Sequence, residues 1–508
     1  MAGGGERRSL ACGMVHRLFA AALVFAVGCG TALAQPVAAP DCTVDVEVSA
    51  TGLQLDVLYR CRSATALTFL PDGERVAAKV LDFHDGAGGQ SAPLAAPSAA
   101  PSSSGWRVEP RNGLVEARYR FDLGGYARTV GSVSMAVLRG EGVVSALSGW
   151  LLEPRGFRNP PVIDIRAKLS PGLQFQSGLP RVGDAWRLSG IPVRFAGYTA
   201  IGHFNVQDIA VPAPGSLLSG APRAEGVIHL VLLDGFAEAT HADIGAWVRR
   251  TAMAEANYWG GFTVRQMMLV MVPIANRGGI GYGRTESGGG VTVMMELGAN
   301  VDPRRLYNEW VLVHELIHTG MPYLMGRASW FMEGAATYVE PIIRARAGWK
   351  AEEDVWREWI EQMPQGVSVF ASGLSTATGR QNYWGGAIFM LLADLELRRA
   401  TSGAKGLEDC LSGALASGLN GPERIDLDDY AEACDRATGT HVVSALIEKH
   451  FNREAPVDLA ALWKDLGVSL EGGRIVLNDA APLAQWRKMI VMGPPGRPRN
   501  VVPRPWES

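Results

Sequence analysis

The sequence predicts a multidomain protein in which an N-terminal all-β, sandwich-like region precedes an α/β domain and a helical C-terminal region. Residues 41–222 alternate with a period of two and are punctuated by Gly, Pro and Ser, which is typical of strands and turns. Strand and helix patterns then alternate, and helical periodicity dominates from Asn308 to residue 451. The length of 508 residues and the hydrophobic content of 47% are sufficient for several buried cores.

The first 34 residues have the composition of a secretory signal peptide. Basic residues precede an apolar run at 18–27, and Ala32-Leu33-Ala34 supplies the pattern of small residues at which such peptides are cleaved. No later apolar segment approaches the roughly 18 residues that a membrane span needs. We therefore expect an exported protein, periplasmic or extracellular, without a transmembrane span. The alternative is a lipoprotein anchored through Cys29.

Four cysteines lie beyond the signal and predict two disulfides in an oxidising compartment. Residues 43–60 alternate like a two-stranded hairpin whose turn places Cys42 opposite Cys61. That register favours a bond between these two residues and leaves Cys410 and Cys434 to pair in the helical region. The alternative is that all four are free buried thiols.

The balance of charge gives no electrostatic argument for nucleic acid or an anionic membrane as the main partner. The chain has 48 basic and 51 acidic residues, so its formal net charge is −3, and only 19% of its residues are charged. Proteins that bind nucleic acid or anionic membranes need a positively charged surface, and this composition has no excess of basic residues from which to form one. We therefore expect no nucleic-acid partner, and the sequence does not indicate an oligomeric state.

Composition also marks segments without regular structure. Residues 86–105 are of low complexity and are predicted to form a flexible surface loop. The tail, 493–508, contains five prolines and is predicted to be extended or disordered. The predicted division of the mature chain is a β-rich domain at 35–222, a central domain at 223–400, a helical region at 401–492 and the Pro-rich tail.

The central domain begins with elements whose patterns are distinct. Val227–Leu233 and Met267–Val272 are predicted as buried strands, and Thr240–Trp259 as a helix capped by Thr240. A further helix is predicted over residues 303–319, with Asp302 as its N-cap and an apolar stripe that includes Trp310. This last helix contains the motif that indicates chemistry.

That motif is His314-Glu315-Leu316-Ile317-His318. On a helix, His314 and His318 lie one turn apart on the same face, and two imidazoles at that spacing can share a zinc ion. Glu315 projects beside them as a general base. The alternative is a helix with two partly exposed histidines that bind nothing.

Zinc in a catalytic site needs a third protein ligand and leaves its fourth position to water. Residues 329–340 predict a second helix, capped by Ser329, with a carboxylate at Glu333 and another two turns further on at Glu340. The small residues 334–336 are expected to let this helix pack closely against the first. The spacing of the residues leaves both carboxylates as candidates.

The span HELIHTG…SWFMEGAATYVE resembles the gluzincin metallopeptidases, of the aminopeptidase N and glycyl aminopeptidase types. In both groups HExxH is followed by a helix with the pattern Trp-x-x-Glu-Gly-x-x-x-Tyr. The resemblance implies a thermolysin-like α/β zinc-peptidase domain with one zinc ion per chain, bound by His314, His318 and Glu333, and with Glu315 as the base. Only 14 residues separate His318 from Glu333, fewer than either group usually has.

Residues 382–388 are similar to the Tyr-x-Lys-Gly-Ala segment of both groups. The resemblance implies that the hydroxyl of Tyr383 holds the oxyanion of the tetrahedral intermediate. A phenol donor aimed at developing charge in a water-poor cleft stabilises it by several kcal/mol. Gly385 stands where the family has lysine, so only the tyrosine carries over. The alternative is a packing residue at the start of a helix.

Residues 283–293 look like the Gly-x-Met-Glu-Asn strand of aminopeptidase N enzymes, whose glutamate binds the free α-amino group of the substrate. The resemblance implies that Glu286 is this substrate-binding residue, which would make the protein an exopeptidase. Thr285 and Ser287 depart from the Met and Asn of the family. The alternative is a solvated acid in a glycine-rich loop.

These residues together predict an exported zinc metallopeptidase that hydrolyses peptides, and by resemblance an aminopeptidase. Zinc is expected to polarise the scissile carbonyl and to lower the pKa of its bound water, whose proton Glu315 takes and returns to the leaving amine. One alternative is an endopeptidase with the same centre. Another is a catalytically silent, zinc-stabilised binding protein, against which the intact Glu315 argues.

Overall fold

The computed structural model describes residues 38–86, 105–211, 225–495 and 501–506. The predicted signal peptide with Cys29 lies outside the described residues. So do most of the low-complexity segment and parts of the Pro-rich tail.

The first part of the described chain consists mainly of strands, as the alternation predicts. It departs from the all-β prediction in two short helices, α1 (Glu74–Ala77) and α2 (Leu123–Val130). Asp122 caps α2, because its carboxylate accepts a hydrogen bond of 2.8 Å from the backbone N–H of Gly125. The strands, in chain order, are β1 (Cys42–Val48), β2 (Gln54–Arg62), β3 (Leu67–Leu70), β4 (Val80–Asp85), β5 (Trp106–Val108), β6 (Leu114–Asp122), β7 (Ala136–Arg139), β8 (Gly142–Ala146), β9 (Glu153–Arg155), β10 (Ile163–Lys168), β11 (Gln174–Ser177), β12 (Arg181–Val182), β13 (Ala185–Leu188) and β14 (Tyr198–Gly202).

These strands form three sheets that share a core. The described residues give a seven-stranded sheet of order β12-β13-β10-β1-β2-β6-β4, a four-stranded sheet of order β11-β14-β8-β7 and a three-stranded sheet of order β5-β3-β9. Val46, Phe69 and Ile201, one from each sheet, belong to the same buried cluster. Sheets stacked on a common apolar core agree with the sandwich-like expectation.

The central sheet comprises β15 (Asn205–Val211), β16 (Gly226–Leu232), β17 (Gln266–Ile274), β18 (Ile280–Ser287) and β19 (Val291–Gly298). Its order is β15-β16-β17-β19-β18; the three inner strands are parallel and both edge strands are antiparallel to their neighbours. Helix α3 (Glu238–Trp259) connects β16 to β17. Both predicted strands are therefore confirmed. Thr240 is not the cap of α3, because the helix begins two residues earlier, after Ala237.

The two faces of this sheet are buried by different neighbours. On one face, Leu230 and Val293 pack with Trp247 of α3 and with Leu316. On the other face, side chains of β17 and β19 share a cluster with the four-stranded sheet of the β-rich region, for example through Tyr198. The β-rich region is thereby held against the sheet whose edge strand, β18, carries Glu286.

Helices dominate the rest of the described chain, as predicted. They are α4 (Pro303–Leu306), α5 (Val311–Thr319), α6 (Ser329–Arg346), α7 (Glu352–Gln362), α8 (Arg380–Ala400), α9 (Leu407–Ala416), α10 (Leu427–Thr438), α11 (Val442–His450), α12 (Leu459–Leu466) and α13 (Ala484–Met492). Short strands pair as β20 (Tyr323–Met325) with β21 (Arg424–Asp426), and β22 (Val468–Glu471) with β23 (Arg474–Leu477). Across the described chain, short 3-10 segments occur at Leu147–Gly149, Val193–Phe195, Met363–Gln365, Val367–Ala371 and Leu374–Thr376. Within the described ranges, no helix is both long enough and apolar enough to cross a membrane.

Both predicted disulfides are confirmed. Cys42 lies opposite Cys61 in the register of β1 and β2, and their sulfurs are at bonding distance. The sulfurs of Cys410 and Cys434 are likewise at bonding distance, and they link α9 to α10. Two bonds of this kind stabilise a protein mainly in an oxidising compartment, which is compatible with export.

The helix predicted over residues 303–319 is broken. Asp302 caps α4 as expected, because its side chain accepts a hydrogen bond of 3.0 Å from the N–H of Arg304. The chain then leaves the helix and re-enters it as α5. In the break, the carbonyl of Asn308 accepts a hydrogen bond of 3.0 Å from Arg344 of α6 instead of a helical N–H. Trp310, expected on the apolar stripe, is 48% exposed.

Two further expectations about α6 are corrected. Ala328, and not Ser329, occupies the N-cap position, and it makes no side-chain cap. The small residue Gly334 makes its closest approach to α8 rather than to α5: a Cβ at Gly334 would lie 2.3 Å from the Cα of Gly386. A pair of glycines thus allows α6 and α8 to cross at short range.

The described end of the tail is packed and not disordered. Val502 is buried, and its carbonyl accepts a hydrogen bond of 2.8 Å from the indole N–H of Trp349. Arg504 donates in turn to the carbonyl of Trp349 at 2.8 Å. Residues 501–504 have no regular secondary structure.

Candidate metal centre

Helices α5 and α6 bring three predicted ligands together. His314 and His318 lie on one face of α5, with ring centroids 5.1 Å apart. Oε2 of Glu333 lies 3.2 Å from Nε2 of His314 and 3.6 Å from Nε2 of His318. One ligand atom from each of the three residues lies within 4.8 Å of the others. Two imidazole nitrogens and a carboxylate oxygen are a donor set that catalytic zinc takes, so these residues fit the ion.

The charge of this group suits a cation. Burial by itself raises the pKa of Glu333, but hydrogen bonds with His314 and His318 outweigh it and lower the pKa well below its usual range. At His318, burial lowers the pKa, and the contact with Glu333 outweighs this and raises it. Glu333 is therefore ionised at neutral pH, as a metal ligand must be.

The alternative ligand, Glu340, has another partner. It is buried and forms an ion pair of 3.0 Å with Arg344, one turn further along α6. Among the described residues, Glu340 is not part of the group that could hold a metal ion. Burial raises the pKa of Glu340 to about 7, and the charge of Arg344 opposes this. Its side chain borders a second cavity of about 420 Å³, which is also lined by Trp384.

Glu315 is buried beside the candidate ligands and is contacted by the edge strand β18. The hydroxyl of Thr285 lies 2.8 Å from Oε2 of Glu315 and 2.8 Å from its backbone oxygen. The strand can approach this closely because residue 283 is glycine: a Cβ there would lie 2.5 Å from Cγ1 of Val311 and 3.0 Å from Oε1 of Glu315. The sequence pattern missed Thr285, which stood out only as a departure from the family's methionine.

Tyr383 lies in the first turn of α8 and faces the same group. Its ring centroid is 6.0 Å from that of His314, and the residue is 39% exposed. Partial burial, together with the charges of Glu333 and Glu315, raises the pKa of Tyr383 to about 12. The phenol is therefore protonated at neutral pH and has a hydrogen to donate.

Glu286 lies on the same strand as Thr285, but its carboxylate is already engaged. It forms an ion pair with Arg284, two residues away and therefore on the same side of the strand. Burial raises the pKa of Glu286, and the charges of Arg284 and Arg424 oppose this. Arg284 was not among the candidate residues, although the period of two on a strand would have placed it beside Glu286.

One cleft of about 660 Å³ is lined by the three candidate ligands and by Glu315, Thr285, Tyr383, Arg284 and Glu286. Its walls come from three parts of the chain: the β-rich region, strand β18, and the region from α5 onward, which includes the short strands β20 and β21. Tyr126 and Tyr198 line the cleft from the β-rich region. Arg424 lines it from the region after α5, and the sequence pattern did not single it out, because it is one arginine far from the HExxH motif.

A solved structure shares this fold, and a second is less similar. An aminopeptidase N family protein from Idiomarina loihiensis is 14% identical, with a TM-score of 0.58, over 85% of this chain and 79% of that chain. An M1 zinc metallopeptidase from Deinococcus radiodurans is 13% identical, with a TM-score of 0.47, over 82% of this chain and 94% of that chain. No protein-family model matches the sequence, and no curated protein matches it. The first likeness shows that the chain has the fold of an aminopeptidase N family protein, which agrees with the fold that the resemblance in the motifs implies.

Proposed function

We propose that this chain is an exported, zinc-dependent peptidase that hydrolyses peptide bonds, most simply as an aminopeptidase. The observation that carries the proposal is the convergence of His314, His318 and Glu333 beside Glu315 in a cleft. The fold shared with an aminopeptidase N family protein supports it. The two disulfides and the signal-like first 34 residues support export.

The residues of the cleft have separate roles in the proposed reaction. His314, His318 and Glu333 would hold the zinc ion, which when bound would act as a Lewis acid and lower the pKa of the water bound to it. Glu315 takes a proton from the attacking water and returns it to the leaving amine. The phenol of Tyr383 donates a hydrogen bond to the oxygen on which negative charge develops.

The site of cleavage depends on Glu286. As the anchor of a peptide's N-terminal ammonium, it would restrict cleavage to the first peptide bond. Its ion pair with Arg284 supports the second candidate, an endopeptidase with the same centre, because an ammonium would have to share or displace the guanidinium. The aminopeptidase is favoured by the location of Glu286, which lines the same cleft as the candidate ligands.

Hydrolysis of peptides with free and with acetylated N-termini, with and without a chelator, tests the proposal. The chelator should abolish turnover, and Glu315→Gln should lower kcat by roughly 10²–10⁴-fold while zinc content is unchanged, because an amide cannot accept the proton. Glu353→Gln, on the exposed surface of α7, is the matched control and should retain the activity of the wild type. A Glu315→Gln variant within a few-fold of wild type would contradict the mechanism.

The same panel separates the two candidates. An aminopeptidase should cleave acetylated peptides poorly. Glu286→Ala should lower kcat/KM by roughly 10- to 150-fold for free-amine peptides only, since a hydrogen bond to a charged group contributes about 1.5–3 kcal/mol. Internal cleavage of acetylated peptides at the rate of free ones would establish the endopeptidase instead.

A further inference from the structure

Arg424 is an arginine of the cleft whose guanidinium lies over two aromatic rings. Its Cζ is 4.2 Å from the ring centroid of Tyr323 and 4.7 Å from that of Phe195. The two aromatic residues are 41% and 40% exposed, so they form part of the cleft surface. Such contacts engage the guanidinium through ring faces, which leaves its fork of N–H donors for another group.

The backbone around Arg424 is hydrogen-bonded to β20 and to α5, the helix that carries two of the candidate metal ligands. Strand β21, which begins with Arg424, pairs with β20 so that Tyr323 lies opposite it. The N–H of Tyr323 donates to the carbonyl of Glu423 at 2.9 Å. The N–H of Gly421 donates at 3.0 Å to the carbonyl of Thr319, the last residue of α5. The position of Arg424 is therefore set by the helix that carries the two histidines.

Among the described residues, no carboxylate forms an ion pair with Arg424 and no oxygen accepts a hydrogen bond from its side chain, whose contacts there are with aromatic rings. Glu286 lies within electrostatic reach but is paired with Arg284. A partly buried guanidinium without a partner, in a cleft that is open to ligands, attracts an anion.

We propose that Arg424 is the anchor of a carboxylate-binding subsite in this cleft. The ligand chemistry is a carboxylate of the substrate, either the C-terminal carboxylate of a short peptide or an acidic side chain. The N–H fork of arginine matches the two oxygens of a carboxylate, and a cleft of about 660 Å³ has room for a short peptide. This subsite deepens the proposed function and rests on it, since the same cleft must hold the peptide.

Kinetics with three peptides test the subsite and separate the two sources of the carboxylate. The substrates are Ala-Ala-Ala, its C-terminal amide, and Ala-Ala-Glu amide. Arg424→Gln should lower kcat/KM by about 10- to 150-fold for whichever carboxylate-bearing peptide uses the subsite, and by less than about threefold for Ala-Ala-Ala amide. A loss on Ala-Ala-Ala identifies the C-terminal carboxylate, and a loss on Ala-Ala-Glu amide identifies the side chain.

Arg194→Gln is the matched control, because Arg194 lines the same cleft and its Cζ lies 4.7 Å from the ring centroid of Phe195. It should affect acid and amide peptides alike. The proposal is overturned if Arg424→Gln reduces acid and amide equally, if it reduces neither, or if Arg194→Gln produces the same carboxylate-selective loss. The last outcome would show that the positive charge of the cleft as a whole attracts the carboxylate, and that Arg424 does not form a specific subsite.

Binding measured by calorimetry separates failure of the subsite from failure of the proposed function. The zinc-loaded Glu315→Gln variant should bind the preferred carboxylate peptide more tightly than Ala-Ala-Ala amide, and adding Arg424→Gln should remove the difference. If the wild type hydrolyses no peptide but this difference is found, the subsite stands and the proposed function fails. If peptides are hydrolysed but acid and amide bind alike, or no peptide binds, the subsite fails.

Discussion

The hydroxyl of Thr285 lies 2.8 Å from Oε2 of Glu315, and this contact joins the edge strand β18 to the helix that carries the proposed base. The same hydroxyl lies 2.8 Å from the backbone oxygen of Glu315. A hydroxyl has one proton, so it donates to one of these oxygens at a time. Its contact with Oε2 holds one side of the carboxylate and would leave Oε1 for the water of the proposed mechanism.

Thr285→Val removes this hydroxyl and keeps the shape of the side chain. We expect kcat to fall by about tenfold with KM nearly unchanged, because the lost hydrogen bond orients the base and touches no substrate. Thr285→Ser restores the hydroxyl and should recover kcat to within about threefold. Steady-state kinetics on one peptide measure both variants, and an undiminished kcat in Thr285→Val would contradict the positioning role.

Tyr383→Phe tests the proposed donor to the developing oxyanion. We expect kcat to fall by roughly 10²–10³-fold with little change in KM, because the phenol acts on charge that appears after binding. Tyr282→Phe, in the same cleft but without a proposed chemical role, is the control. An effect confined to KM would mark Tyr383 as a contact to the bound substrate.

Metal analysis distinguishes the two carboxylates of α6. Glu333→Ala should lose most of its zinc, because only the two histidines of the candidate site would remain as ligands. Glu340→Ala should retain zinc, since Glu340 is paired with Arg344. Full zinc in the first variant together with loss in the second would reassign the ligand to Glu340.

Glu340 should make stability depend on pH. Burial raises its pKa in the folded protein to about 7, against an ordinary value of 4.5, so the folded state binds this proton more tightly than the unfolded state. The free energy of unfolding should therefore fall as pH rises from about 4.5 to 7, by at most roughly 3 kcal/mol from this group. Urea unfolding of wild type and Glu340→Gln across this range should show a flatter dependence in the variant, and parallel curves would refute the assignment.

Gly334→Ala should weaken the packing of α6 on α8. A Cβ there would lie 2.3 Å from the Cα of Gly386, so the helices must move apart, at a cost of about 1–3 kcal/mol in unfolding free energy. Zinc occupancy should fall too, since Glu333 precedes this glycine. Gly278→Ala, where the new Cβ would meet only Nη1 of Arg305 at 3.6 Å, is the control. Equal stability of the two variants in thermal unfolding would contradict the close approach.

The sequence by itself determined the features that depend on local periodicity. The i, i+4 spacing places His314 and His318 on one face of any helix, and the period of two sets the register that brings Cys42 to Cys61. The buried strands Gly226–Leu232 and Gln266–Ile274 could be predicted for the same reason, because each is a continuous run of mostly apolar residues.

Only the tertiary structure decided which distant groups meet. At the break between α4 and α5, the carbonyl of Asn308 accepts a hydrogen bond from Arg344, which lies 36 residues further along the chain. The contact of Thr285 with Glu315 spans 30 residues, and Arg424 reaches the cleft because its strand pairs with β20. Neither composition nor periodicity contains the partner of such a residue, since the free energy of each contact depends on burial and geometry that arise only when the chain has folded.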